Sequence, residues 1–128
     1  MPIDVTIDEG RPTMLVLVQS RCRFCTESMP FYRSILELRS KGQCDVQVVA
    51  VGLDPMEITK SYLAENAVSA DTVVPYPGVA EIRFGGTPTV LAIHPTRRIL
   101  GVWEGRLTAS QEAAVKTALG CGGTPAHP

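Results

Sequence analysis

The chain has 128 residues, 45% of them apolar and 20% charged, with a net charge of −1. That is the size of one domain with one core of moderate size, and the composition of a folded chain rather than a disordered one. The near-neutral balance offers no basic face for nucleic acid and no polybasic segment for a membrane surface, and the longest apolar run, residues 14–18, is too short to span a bilayer.

Residues 13–19 (TMLVLVQ) have the length and composition of a buried strand. The segment SRCRFC follows at once. From it Cys25, Met29, Tyr32 and Leu36 recur at spacings of four, three and four, which is one face of a helix. Pro30 lies inside that pattern and predicts a kink. Arg39 and Lys41 suit the helix C-terminus, and Gly42 can stop it. Residues 44–52 (CDVQVVAVG) read as a second buried strand. In Asp54-Pro55-Met56-Glu57 the aspartate reads as a cap, the proline as the first helical residue and the glutamate as its acidic partner. That helix should run to about Glu65, with Asn66 as terminator. Residues 68–77 read as a connection, and residues 80–84 as one helical turn. Residues 87–94 (TPTVLAIH) and 98–103 (RILGVW) read as strands of a hairpin joined by Pro95-Thr96-Arg97. TASQ at 108–111 is a capping box opening a last helix to Leu119, with Gly120 past its end and a loose tail beyond.

The order strand, helix, strand, helix predicts parallel pairing through right-handed crossovers, and the hairpin predicts an antiparallel edge. The expected fold class is α/β, a mixed central sheet with helices on both faces, in a single domain over residues 1–128 with its core at about 13–119.

Cys22-Arg23-Phe24-Cys25 carries the chemistry. Placed between a buried strand and a helix, Cys22 stands at the helix N-terminus, where unpaired backbone N–H groups and the macrodipole favour an anion. The thiolate is the attacking species in disulfide exchange, so the position depresses the pKa of the residue that needs it depressed. Cys25, one turn on and deeper, can resolve a mixed disulfide. Arg21 and Arg23 flank the nucleophile and are expected to stabilise the thiolate further, unless both are simply solvated. Phe24 reads either as an apolar contact for a substrate or as a ring covering Cys25. Two other readings of the cysteine pair stand beside redox chemistry: an inert disulfide, and a metal-carrying pair. A structural zinc site needs four ligands, and Cys44, Cys121, His94 and His127 show no ligand spacing, so no metal and no cofactor is expected. Cys44 reads as a core residue at the start of a strand, and Cys121, between glycines, as a free thiol.

These residues resemble the thioredoxin superfamily. The resemblance covers roughly residues 13–119: a strand, C-x-x-C at a helix start, a proline five residues after the second cysteine, Thr-Pro opening a strand, and G-x-W-x-G before the last helix. CTESMP and FGGTPTVLAI are most similar to exported or membrane-anchored redoxins of the TlpA-like group. The resemblance implies a thioredoxin-like three-layer fold with Pro88 cis and facing the cysteines. It also implies that the Thr87 backbone pairs with an extended substrate and that Gly105 borders the substrate groove. There are departures. Arg21 replaces a tryptophan, and Arg23-Phe24 replaces Gly-Pro. Val16 and Ser28, the latter beside Glu27, stand where the family places an acidic proton acceptor for the resolving cysteine.

The expected function is thiol–disulfide oxidoreduction on protein or peptide substrates, with a redox partner protein, by a monomer. The alternative is a non-catalytic or metal-carrying thioredoxin-like binding module. Residues 1–12 carry no charged-then-apolar signal, which predicts the cytoplasm; the resemblance predicts an extracytoplasmic, anchored domain if an N-terminal segment was removed.

Overall fold

The computed structural model describes residues 10–76 and 86–121. The elements in chain order are β1 (Thr13–Val18), α1 (Arg23–Ser40), β2 (Gln47–Gly52), α2 (Met56–Glu65), β3 (Thr72–Pro75), β4 (Thr89–Ile93), β5 (Ile99–Glu104) and α3 (Ala109–Leu119). The helical turn expected at residues 80–84 lies outside the described residues.

The apolar run of β1 is buried at all six positions because the strand sits in the middle of the sheet, whose order is β3-β2-β1-β4-β5. It pairs in parallel with β2 and antiparallel with β4; β3 extends the parallel half, and β5 closes the antiparallel edge. Alternation along β1 divides the core. Met14, Val16 and Val18 join a large cluster with Cys25, Met29, Tyr32 and Ile35 of α1, Tyr62 and Leu63 of α2, and Val115 and Leu119 of α3. Leu15 and Leu17 join a second cluster with Val49, Val51, Leu91 and Ile93. The mixed α/β sheet expected from the element order is present; helices were expected on both faces, and among the described residues all three contribute to the first cluster and none to the second.

Local expectations fare unevenly, for physical reasons. Helix α1 runs through Pro30 without interruption, to a C-cap at Lys41 and a left-handed Gly42 (φ 75°). The capping box of α3 is made in full: the Thr108 hydroxyl accepts the Gln111 N–H and the Gln111 side chain accepts the Thr108 N–H. Asp54, expected to cap α2, does not do so. Pro55 holds the cap position with no side-chain bond, and the Asp54 carboxylate instead accepts the Ser20 N–H at 2.7 Å. Residues 72–75, read as part of a connection, form the edge strand β3. What fixes them is Asp71, whose N–H donates to Val48 O and whose carboxylate accepts the Val48 N–H (2.8 Å) and an Arg39 N–H (2.6 Å). Burial opposes the ionised form of Asp71, but these bonds outweigh it and hold the carboxyl below its ordinary range. Gly52 ends β2 because a side chain there would collide with Thr59 of α2.

The two remaining cysteines correct the sequence reading. Cys44 and Cys121 are not a core thiol and a free thiol; they form a disulfide, with Cα atoms 5.0 Å apart and Cys121 fully buried. Cys121 itself is held: its N–H donates to Lys116 O at 2.7 Å in a left-handed cap, and its bond to Cys44 joins the end of α3 to the approach to β2, while the tail expected to be loose beyond it lies outside the described residues. A sequence separation of 77 gives no local signal for such a pairing, and it corresponds to about 4.5 kcal/mol in the chain-entropy account. Cys121→Ser should therefore lower the unfolding free energy by roughly 2–5 kcal/mol, measured by urea denaturation; a loss below about 1 kcal/mol would mean the bond adds little to stability.

Candidate active site

Three segments distant in sequence meet at the C-terminal end of β1, and strand register brings them there. After Val18 the chain turns, and Cys22, with extended backbone, becomes the N-cap of α1. β4 runs antiparallel to β1 with Thr89 opposite Leu17, so Thr87-Pro88 arrives at the level of Cys22. β5 places Glu104 opposite Thr89, so Gly105 follows at the same level, and its N–H donates to Pro88 O at 2.7 Å. The Thr87-Pro88 bond is cis, as the resemblance implies. Gly86 and Gly105 have φ of 146° and 83°, where a side chain would be strained.

Cys22 acts as its own helix cap: its sulfur accepts the Cys25 N–H at 3.1 Å. The same sulfur lies 3.3 Å from Thr87 O, to which the thiol donates. Cys22 is partly exposed and Cys25 is buried, and both are free thiols. Partial burial pushes the Cys22 pKa up, but hydrogen bonds from Cys25, Thr87 and the Phe24 amide outweigh it, and the net shift is downward. Cys25 goes the other way. Burial and its hydrogen bond with Cys22 raise its pKa to about 12. The two sulfurs are thereby assigned different chemistry: one ready to ionise and reachable, one protonated and enclosed.

The flanking residues take positions that the sequence left open. Phe24 is 47% exposed and so does not simply cover Cys25. Arg21 is exposed. Arg23 turns to Glu27, with Nε 3.0 Å from Oε2, and the other carboxylate oxygen lies 2.9 Å from Arg106. Arg23 directs its charge to Glu27, while burial and hydrogen bonds from Cys25, Thr87 and Phe24 act on Cys22. Those donors are fixed and close, whereas exposed guanidinium groups are screened.

The missing family carboxylates are not replaced at their positions. Val16 is core, and the Ser28 hydroxyl donates to Phe24 O at 2.7 Å. Glu27 is held by two arginines and Asp54 by Ser20. Tyr32 is buried near Cys25, and burial keeps its hydroxyl protonated. Among the described residues no group of three or more His, Cys, Asp or Glu side chains could hold a metal ion. Sequence reasoning missed Asp54, Glu27 and Arg106 as braces of the site. Two carried a signal that could have found them: Arg106, one residue after the singled-out Gly105, and Glu27, four residues after Arg23 on the same helix.

No family model and no curated protein matches the sequence. Solved structures do match. They include a protein from Chlorobium tepidum assigned as thiol:disulfide interchange protein DsbE, with 26% identity over 86% of this chain and 78% of that one, TM-score 0.66. StoA from Bacillus subtilis is 20% identical over 85% of this chain and 84% of its own, TM-score 0.66. A secreted disulfide oxidoreductase of Mycobacterium tuberculosis is 14% identical over 87% and 84%, TM-score 0.68. The chain has a thioredoxin-like fold. It carries a free Cys22–Cys25 dithiol at the start of α1.

The opposed shifts have opposite consequences for stability. A depressed thiol pKa adds stability as pH rises from the folded value to the unfolded value of 9.0; a raised one removes stability as pH rises from 9.0 toward about 12. Cys25→Ser, which keeps Cys22 as the free thiol beside the intact Cys44–Cys121 disulfide, should gain stability as pH approaches 9.0. Cys22→Ser, which likewise keeps Cys25, should lose stability above 9.0. Urea unfolding of both variants across this range tests the pair; parallel curves would contradict it.

Proposed function

We propose that this domain exchanges disulfides with extended protein or peptide substrates through Cys22 and Cys25. The observation that carries the reading is the asymmetry of the pair: a partly exposed sulfur capping a helix with its pKa lowered, above a buried sulfur with its pKa raised. In the reducing direction the Cys22 thiolate attacks a substrate disulfide. A Cys22–substrate bond forms, and the second substrate sulfur leaves as a thiolate. Cys25 then gives up its proton and attacks Cys22 Sγ. The Cys22–Cys25 disulfide forms, the first substrate sulfur is released, and the substrate has gained two electrons. A separate redox partner resets the pair, and the reverse sequence oxidises a substrate.

Substrate backbone pairs beside Thr87, where Pro88 supplies no N–H and the chain has not yet joined the β4 ladder; this is strand addition at the site. Exposed Phe24 and Gly105 border the same place. The buried Cys44–Cys121 disulfide supports work in an oxidising compartment, since such bonds persist outside the reducing cytosol. That disulfide lies near the start of β2, whose first residue pairs with Thr13, so it sits at the opposite end of the sheet from Cys22.

Cys22→Ser should abolish reduction of a disulfide-linked protein such as insulin. Cys25→Ser should accumulate mixed disulfides, seen as mass adducts, because attack proceeds without resolution. Full turnover by Cys25→Ser would rule out the dithiol route.

A further inference from the structure

The ground around Cys22 is electrically two-sided, and the sheet order sets the sides. Toward β4 and β5 lie Arg23 and Arg106, with side chains 83% and 63% exposed, and Arg21, also exposed, immediately precedes Cys22. Glu27 bridges Arg23 and Arg106, so two guanidinium groups stand against its one carboxylate. Because Glu27 bridges α1 to the residue after Gly105, it also fixes this rim against the Gly105–Pro88 contact.

Toward α2 the character reverses. A groove of about 480 Å³ opens beside Ser20, two residues before the nucleophile, and is lined by Glu57, Ile58, Tyr62 and Glu65 among others, with no cation in its lining among the described residues. Ile58 is 48% exposed, and both glutamates are exposed. The groove abuts the first turn of α1, since the Tyr62 and Thr26 hydroxyls are 2.7 Å apart. α2 leads from β2 to β3, on the other side of β1 from the β4–β5 hairpin.

We propose that the site selects its substrate by charge order: acidic residues on one side of the reacting cysteine, seated on the arginine rim, and apolar or basic residues on the other, seated in the Glu57–Glu65 groove. This rests on the disulfide-exchange reading. The physical case is complementarity of a fixed two-signed field with an extended chain whose direction is set by backbone pairing at Thr87. Such fields act mainly on encounter rate and register, and they fade with salt. The arginines therefore serve the substrate and not the thiolate.

The test uses reduced protein and four peptides of equal length, each with a central cysteine in mixed disulfide with thionitrobenzoate. Their flanks are acidic–basic, basic–acidic, all acidic and all basic. Attack by Cys22 releases the coloured thiolate, Cys25 then frees the peptide thiol, and the dithiol ends as a disulfide. One of the two mixed orders should react at least about fivefold faster than the other three peptides at low salt, and the advantage should collapse at high salt. Glu57→Lys with Glu65→Lys should shift the preference to the all-acidic peptide, leaving the ionisation of Cys22 unchanged. Equal rates for the two mixed orders, or a preference insensitive to salt, would overturn the proposal. Rates for all four peptides no greater than those of Cys22→Ser would instead overturn the disulfide-exchange reading itself.

Discussion

The site depends on one interaction, the acceptance of the Cys25 N–H by the Cys22 sulfur at the start of α1. A helix leaves its first N–H groups without partners. In most helices an oxygen of serine, threonine, aspartate or asparagine meets that need; here a sulfur meets it. Satisfying the helix and stabilising the thiolate are thus the same bond, to which Thr87, brought up by β4, adds. Burial works against the charge on both sulfurs; it prevails at enclosed Cys25, whereas at the more exposed Cys22 hydrogen bonds outweigh it.

The sheet makes this bond useful. β1 is the central strand, so its C-terminal end lies beneath material from both halves of the domain. From the antiparallel half come Thr87-Pro88 and Gly105, locked to each other through the Gly105–Pro88 hydrogen bond. From the parallel half comes Asp54, which fixes the loop before Cys22 through Ser20. A shift of β4 by one residue against β1 would turn its side chains to the opposite faces and carry Thr87 away from Cys22. Burial of alternate residues in two clusters prevents that slip.

Much of this was legible in the sequence, where the signal was local. The cysteine pair after an apolar run, the Thr-Pro at a strand start and the capping box at Thr108 each need only a few neighbouring residues to be read, and each is found in the structure. What escaped depends on partners distant in the chain. Residues 72–75 have no strong strand pattern of their own; they become β3 because Asp71 clasps Val48 and Arg39. Asp54 fits a helix cap by position, but the Ser20 N–H is a better partner because that loop would otherwise leave it unpaired. Cys44 and Cys121 were read separately because nothing in either neighbourhood names the other. Arg23 beside Cys22 suggested direct stabilisation of the thiolate, and only the position of Glu27, one turn on, shows where its charge is directed.

The division of labour between the two sulfurs is the central claim, and thiolate ultraviolet absorbance against pH measures it directly. Protein with the Cys22–Cys25 pair reduced and the Cys44–Cys121 disulfide intact should show one thiol ionising below the ordinary value of 9.0, with the second remaining protonated until about pH 12. Cys22→Ser should delete the early step and leave the late one. Two thiols ionising together near 9.0, or an early step that survives in Cys22→Ser, would contradict the account.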